Sequence, residues 1–263
     1  MKNKDMETSL EISRLPDFRI EGRCRNIIDC IRRVKTSHWL FGISILLAIA
    51  LLLMPDHIWK QFWTRIKANG NLVILILIFC IVALSLVWKK GENIDIWTFM
   101  VFNMRGYRAP WVDWAMLSFT QLGSGVFGIG AGIVYFLADH DIFAYEIILG
   151  TLTLWLAVEL MKALIRRPRP YIKLKNLRIV GAKAGGNSFP SGHTSQSFFL
   201  ATLFLHSYKA DFLWILVVYS IAGLVGITRM YVGMHYPRDV LGGAVFGTVW
   251  GIFWAIINNY FFR

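Results

Sequence analysis

The stretch "GGNSFPSGHTSQSF", residues 185–198, places a proline, a histidine, glycines and several hydroxyl groups directly before an apolar segment, which continues as "FLATLFLHSY". Polar groups at the start of a membrane helix are rare and usually functional. The start of a helix points free backbone N–H groups and the positive end of the helix dipole outward, which suits an anion. The stretch therefore predicts an anion-binding helix N-terminus.

The composition is that of a membrane protein. The chain has 263 residues, of which 56% are hydrophobic and 17% are charged, and its mean hydropathy is +0.51. A soluble domain carries about 25% charged residues. The net charge of +12 comes from basic residues that lie between apolar blocks. We therefore expect anionic lipid head groups or phosphate substrates as partners, and no nucleic acid.

Seven apolar blocks predict an all-α, polytopic membrane helix bundle, because a spanning helix needs about 20 apolar residues. The blocks are residues 39–54, 72–88, 114–137, 142–165, 194–208, 212–228 and 240–260. The first and fifth are short for a span, so the expected architecture is a six-span core plus an extra N-terminal hydrophobic segment. In front of them lies a polar tail that forms either an amphipathic surface helix or a plain solvated segment. The expected division is a tail at 1–36, the extra segment and its connector at 37–70, and a membrane domain at 71–263.

Two further patterns refine this architecture. Ile94, Trp97, Val101 and Met104 recur at helical spacing and predict a helix at the membrane interface. Glycines that recur every fourth residue allow membrane helices to pack closely. These rows are Gly128 and Gly132, and Gly243, Gly247 and Gly251.

Three polar clusters are predicted to meet at one membrane face. Counting the crossings from the fourth block onward brings residues 162–170, 190–193 and 229–239 to the same side. They contain three cations, Lys162, Arg169 and Arg229, next to the helix start at Ser191 and Gly192. Three cations and a helix N-terminus together suit a phosphate group.

Two histidines and a carboxylate accompany these cations. His235 precedes Asp239 by four residues, close enough for the carboxylate to orient the ring and leave its other nitrogen free to attack. His193 lacks such a partner in sequence and suits a general acid. The alternatives are structural: a helix cap for His193 and a loop hydrogen bond for His235.

Three motifs in this order resemble the signatures of a known family. They are Lys162-x6-Arg169-Pro170, Pro190-Ser191-Gly192-His193 and Arg229-x5-His235-x3-Asp239. They are similar to those of the phosphatidic acid phosphatase type 2 / vanadium haloperoxidase superfamily, in its membrane lipid-phosphatase branch. The resemblance covers about residues 90–260.

The resemblance implies a reaction without metal or cofactor. His235 would be the nucleophile, Asp239 would orient it, and His193 would protonate the leaving group and later activate water. It also implies that the phosphate oxygens are held by Lys162, Arg169, Ser191, Gly192 and Arg229. The third signature usually opens with serine, and here Thr228 keeps the hydroxyl group. Arg166 and Arg167 are extra cations that the pattern does not specify, and we expect them to mark the membrane edge rather than meet a larger head group.

The expected activity is dephosphorylation of a membrane lipid phosphate or pyrophosphate of the phosphatidate, phosphatidylglycerophosphate or polyprenyl-pyrophosphate type, through a phosphohistidine. The alternatives are a soluble phosphate ester as substrate, a lipid phosphotransferase, or a non-enzymatic protein that binds or transports anionic lipids. The expected location is the cell membrane. The resemblance favours an outer active face, whereas basic residues counted over seven crossings favour the cytoplasmic face. The oligomeric state stays open.

Overall fold

A computed structural model describes residues 70–103, 109–175 and 177–261, together with residues 45, 60, 63, 64 and 67. Nearly all of these belong to one unit, Leu53–Arg263. The tail, most of the first apolar block and Met104 lie outside the described residues. The division of the chain into tail, extra segment and membrane domain stays a prediction.

Helices make up most of the described part of the chain, and no strand occurs within it. They are α1 (Gly70–Ser85), α2 (Lys89–Asn103), α3 (Pro110–Gln121), α4 (Gly125–Leu137), α5 (Asp141–Ile165), α6 (Pro170–Lys173), α7 (Gly192–Ser207), α8 (Phe212–Tyr231) and α9 (Pro237–Phe261). The predicted fold class, an all-α membrane helix bundle, is confirmed. The apolar blocks from the second to the seventh correspond to α1, α3 with α4, α5, α7, α8 and α9.

The third apolar block is divided between two helices. It forms α3 and α4, which are bent by 57° relative to each other. Ser124 ends the break, because its side chain accepts a hydrogen bond from the backbone N–H of Phe127 at 3.0 Å and so caps α4. A Cβ atom at Gly123 would lie 2.4 Å from the carbonyl oxygen of His193. The break therefore packs against the start of α7.

The described helices differ in whether they can cross a bilayer. Three of them, α5, α8 and α9, are long and apolar enough, and the bent pair of α3 and α4 can supply a fourth span. Helices α1 and α7 have 16 residues each, which is about 24 Å at 1.5 Å per residue and less than the roughly 30 Å of a bilayer core. Length thus supports fewer spans than the sequence pattern predicts.

The predicted interfacial helix exists as α2, and its two faces are distinct. Ile94, Trp97 and Val101 are 61%, 70% and 50% exposed, so its apolar stripe points away from the protein, as contact with lipid requires. The opposite face is buried and carries two polar side chains, Asp95 and Asn103. Helix α2 therefore buries two polar groups beside the apolar side chain of Phe99 and turns an apolar stripe outward.

Helix α7 lies at the centre of the bundle, against α9, α8 and α5. The glycine row of α9 faces it: a Cβ atom at Gly243 would lie 2.7 Å from Ser191 O, and one at Gly247 would lie 2.1 Å from Ser195 O. This confirms the close helix approach predicted from the glycines of α9. The approach brings the N-terminal ends of α7 and α9 together at the end of the bundle where the polar clusters lie.

We predict that Gly247→Ala destabilises the folded protein by about 2 kcal/mol, because the added methyl group collides with the backbone of α7. The midpoint of thermal unfolding in detergent measures the effect. Gly223→Ala on α8 is the matched control, since a Cβ atom there meets nothing within 4 Å. Equal midpoints for the two variants would contradict this packing.

Candidate active site

The polar clusters meet around one cavity of about 250 Å³. The end of α5, the start of α7, the end of α8 and the loop before α9 surround it. Six residues singled out from the sequence line the cavity: Lys162, Arg169, Gly192, His193, Arg229 and His235. Apart from Gly192, these are the five residues whose side chains the predicted chemistry requires around a single small anion. All five therefore line the same cavity.

Ser191 and Asp239 do not line the cavity. Both are completely buried, and the backbone N–H of Ser191 donates to the carbonyl oxygen of Asp239 at 3.0 Å. The Ser191 hydroxyl accepts a hydrogen bond from Thr194 Oγ1 at 2.9 Å. Ser191 precedes the first residue of α7 and makes no side-chain cap hydrogen bond to it. The first-turn amides that follow Ser191 therefore stay available for an anion.

Arg169 is buried and is held by backbone carbonyl groups. Its Nη2 donates to Gly185 O at 2.9 Å and its Nε to Gly186 O at 3.1 Å. Its Nη1 lies 3.3 Å from Met234 O and 3.2 Å from His235 Nε2. These contacts fix the guanidinium beside the ring nitrogen of His235 without neutralising its charge.

Arg229 is also buried, and its Nη1 donates to Thr120 Oγ1 at 2.9 Å. Its Nε has no hydrogen-bond partner among the described residues. Within the described ranges, neither Arg229 nor Arg169 has a carboxylate within 4.0 Å. A buried charge is costly without a partner. The two guanidinium groups therefore give the cavity a positive charge that an anion would balance.

Lys162 is the third cation at the cavity. Its ammonium group bonds Glu159 Oε1 at 2.7 Å, and both side chains line the cavity. A Cβ atom at Gly192 would lie 3.8 Å from Lys162 Nζ. The ammonium group therefore faces the start of α7, where a phosphate oxygen would meet both the lysine and the helix amides.

His235 lies between Asp239 and Arg169. Its Nδ1 is 3.7 Å from Asp239 Oδ2, which is too long for a hydrogen bond but within reach of one after a small movement. With the proton on Nδ1, Nε2 is the nitrogen with a free electron pair, and this nitrogen lies beside Arg169. The predicted contact between Asp239 and His235 is thus a close approach and not a hydrogen bond.

The carboxylate of Asp239 is held by other groups. Arg167 Nη1 donates to Oδ1 at 2.6 Å, the backbone N–H of Tyr236 donates to Oδ2 at 2.8 Å, and the Ser188 hydroxyl also donates to Oδ2. Arg167 was expected at the membrane edge, but it lies inside the protein between Asp239 and Asp95.

Sequence reasoning missed four contributors: Arg167, Ser188, Thr120 and Gly123. Arg167 and Ser188 stand within two residues of a signature, which is the only local sign of their role. Thr120 lies just before the break between α3 and α4 and Gly123 lies within it, where "QLGSG" offered a turn signal inside an apolar block.

Among the described residues, no group of three or more His, Cys, Asp or Glu side chains is arranged to hold a metal ion.

Burial, together with the nearby Arg169 and Arg229, lowers the pKa of His235 to about 3 against the opposing effect of Asp239. A lowered pKa means that the ring is neutral at neutral pH. Neutral imidazole has the free electron pair that a nucleophile needs. The site therefore holds the ring of His235 in its neutral form.

Comparison with known proteins assigns the family. The family model for the PAP2 superfamily matches residues 143–263. Phosphatidylglycerophosphatase B of Bacillus subtilis is 33% identical over 161 residues, which cover 53% of this chain and 72% of that protein. This chain belongs to the PAP2 superfamily. The predicted resemblance is confirmed.

A second relative and a solved structure agree with this assignment. The bacitracin transport permease protein BcrC of Bacillus licheniformis is 31% identical over 144 residues, covering 46% of this chain and 68% of that protein. The crystal structure of a transmembrane PAP2 type phosphatidylglycerolphosphate phosphatase from Bacillus subtilis has a TM-score of 0.60 and 25% identity, covering 73% of this chain and 98% of that one. The region matched by the family model begins after α4. Gly123 in the cavity wall and Thr120, the partner of Arg229, therefore lie outside that region.

We predict that inorganic phosphate raises the midpoint of thermal unfolding of the protein, because a ligand that binds only the folded state stabilises it. In Arg229→Gln this rise is expected to shrink, while the midpoint without phosphate does not fall, since an uncompensated buried charge has been removed. Lys175→Gln is the control, because Lys175 is an exposed cation that does not line the cavity. A full phosphate-dependent rise in Arg229→Gln would contradict the role of this arginine.

Proposed function

We propose that the protein is a phosphatase that removes phosphate from a membrane lipid phosphate or pyrophosphate, without a metal ion, through a phosphohistidine. One observation carries the proposal: His235, whose Nε2 lies 3.2 Å from Arg169 Nη1, lines a cavity together with two buried arginines that have no carboxylate partner among the described residues. Proteins of similar sequence support the class of reaction, because they are named as lipid phosphatases and as an undecaprenyl-diphosphatase.

The first step forms the phosphohistidine. The electron pair of His235 Nε2 attacks phosphorus, and the bond from phosphorus to the oxygen of the leaving group breaks. That oxygen takes the bond's electron pair and receives a proton from His193. A bound phosphate supplies the negative charge that favours the protonated form of a neighbouring histidine. Lys162, Arg169, Arg229 and the first-turn amides of α7 stabilise the charge on the other oxygens.

The second step releases phosphate. A water molecule gives a proton to His193, which has just lost one, and attacks phosphorus. The bond between phosphorus and Nε2 breaks, and its electron pair returns to His235. Inorganic phosphate leaves, and both histidines regain their starting state. The nearby carboxylate of Asp239 favours the positively charged ring that exists while the phosphoryl group is attached.

The cavity wall supports a lipid as the substrate. Leu154, Trp155 and Val158 of α5 line it on one side, and Lys162 follows one turn further along the same helix. Trp155 is 57% exposed, so this apolar part of the wall continues onto the outer surface of the bundle. A substrate with its chain along α5 and its phosphate beside Lys162 would match both parts of the wall.

We predict that His235→Asn lowers the rate of phosphate release from phosphatidate in detergent micelles by roughly 1,000-fold or more, because the attacking nitrogen is lost. His206→Asn is the matched control, since His206 is an exposed histidine at the other end of α7. The wild-type rate is expected to be unchanged in EDTA. Full activity in His235→Asn would contradict the proposed nucleophile, and a strict requirement for magnesium would contradict the proposed mechanism.

The same assay separates the competing functions. A phosphotransferase would pass the phosphoryl group to an added alcohol in preference to water and release less phosphate. A protein that only binds or transports anionic lipids would release none. Either result from the wild-type protein would replace the proposed phosphatase.

We further propose that the catalytic end of the bundle faces the outside of the cell. If residues 39–54 do not cross, this orientation leaves the nine basic residues of the tail in the cytoplasm, as the positive-inside rule favours. Helix α9 starts at the catalytic end, so its far end then lies inside.

An alkaline phosphatase reporter, which needs disulfides that form outside the cytoplasm, tests this orientation. Fused after Arg263 it is expected to be inactive, and fused after Lys175, in the loop at the catalytic end, it is expected to be active. The opposite pair of results would place the catalytic end in the cytoplasm.

A further inference from the structure

We propose that Arg167, itself held by Asp95 of α2, is a positioning residue that fixes the Asp239 carboxylate next to His235. The inference rests on the proposed function, because it assigns a role within the same reaction. Arg167 occupies an unspecified position inside the first signature, and Asp95 lies outside all three. The structure joins them to Asp239 by ion pairs between residues that are 72 positions apart in the chain.

The contacts of Arg167 leave it no role in holding substrate. One arm, Nη1, donates to Asp239 Oδ1 at 2.6 Å, and the other arm, Nη2, forms an ion pair with Asp95. The guanidinium carbon lies 4.4 Å from the centre of the Tyr236 ring. Arg167 does not line the cavity. Both donor groups that could meet a phosphate are thus engaged by carboxylates, unlike those of Arg169 and Arg229.

Asp95 holds a second arginine as well. Its side chain is 2% exposed and accepts from the backbone N–H of Arg238 at 3.1 Å and from Arg238 Nε at 2.6 Å. Arg238 directly precedes Asp239 in the first turn of α9. Asp95 therefore fixes both neighbours of the carboxylate: the arginine bound to it in space and the residue before it in the chain.

Asp95, Arg167, Arg238 and Asp239 form a cluster whose charges balance, in contrast to the positively charged cavity. Asp95 and Asp239 offset the charges of Arg167 and Arg238, so the buried charges satisfy one another. Removing Arg167 would leave Asp239 Oδ1 without that partner, and the carboxylate would be held through Oδ2 alone. A shift of this group moves the ring of His235, and a misplacement of about 1 Å at a reacting atom costs up to roughly 100-fold in rate.

The phosphate site itself does not depend on these contacts. Lys162, Arg169 and Arg229 are held by other residues, namely Glu159, the loop carbonyls and Thr120. A positioning role for Arg167 therefore predicts a loss of kcat with little change in substrate or phosphate binding. A purely structural role would instead lower the amount of folded protein and leave the kcat of the remaining folded fraction unchanged.

The experiment compares Arg167→Gln with Arg166→Gln, using phosphatidate in detergent micelles and purified, monodisperse protein. Arg166 is the adjacent, exposed arginine, and its Nε donates to the carbonyl oxygen of Ala163 at 3.1 Å. We expect Arg167→Gln to lower kcat by roughly 10-fold to 100-fold, with KM and the inhibition constant of inorganic phosphate within about twofold of wild type. Arg166→Gln is expected to match wild type in all three values.

Two further variants make the result specific. Arg167→Lys keeps the charge and is expected to recover part of the lost kcat, and Asp95→Asn is expected to lower kcat in the same direction as Arg167→Gln. If Arg167→Gln does not fold, these two variants carry the test. Because Asp95 acts partly through Arg167, the double variant should lose less than the product of the single losses.

The outcomes distinguish this inference from the proposed function. Phosphate release by wild type with an unchanged kcat in Arg167→Gln, or in both substitute variants, would overturn the positioning role alone. A loss confined to KM and phosphate affinity would instead make Arg167 a substrate-binding residue. No phosphate release by the wild-type protein would overturn the proposed function and this inference with it.

Discussion

The uncompensated positive charge of the Arg169 and Arg229 side chains is the constraint on which the rest of the site depends. Both guanidinium groups are buried, and among the described residues no carboxylate balances either of them. A folded protein retains such a cost only where another gain outweighs it. Binding of a phosphate group would provide that gain, and Nε2 of His235, the proposed nucleophile, lies beside Arg169.

The bundle supports this arrangement through backbone packing. The glycine row of α9 lets α7 approach closely, and Gly123 lets the break between α3 and α4 approach the start of α7. These approaches bring together residues from four helices around a cavity of about 250 Å³. Close beside the positive cavity lies the balanced cluster of Asp95, Arg167, Arg238 and Asp239. In the proposed function the first group of charges binds the phosphate, and the second holds the carboxylate of Asp239 next to His235.

The sequence predicted much of this site because membrane helices alternate in direction. Once the blocks are recognised, the polar ends of α5, α7, α8 and α9 must meet, whatever their detailed packing. The glycine spacing likewise predicted a helix contact that the structure contains. Residues in local patterns such as "PSGH" could therefore be assigned to one site without any knowledge of side-chain positions.

Other features depend on contacts that no local pattern contains. Arg166 and Arg167 are identical neighbours in the sequence, yet one is exposed and the other is half-buried between two carboxylates. Asp95 occupies the polar face of an amphipathic helix, where a solvated side chain is the ordinary expectation. Ser191 belongs to a signature motif but lies outside the cavity wall, because its amide is bound to Asp239. Each of these outcomes is decided by a partner distant in the chain.

The covalent state of His235 during turnover is the most direct measure of the central claim. Protein mixed with phosphate-labelled phosphatidate and quenched rapidly in base, which preserves phosphohistidine, can be digested and analysed by mass spectrometry. The account predicts a phosphoryl group on the peptide that contains His235, absent from His235→Asn. Steady phosphate release with no phosphoryl group on His235 at any quench time, or with the label on another residue, would contradict it.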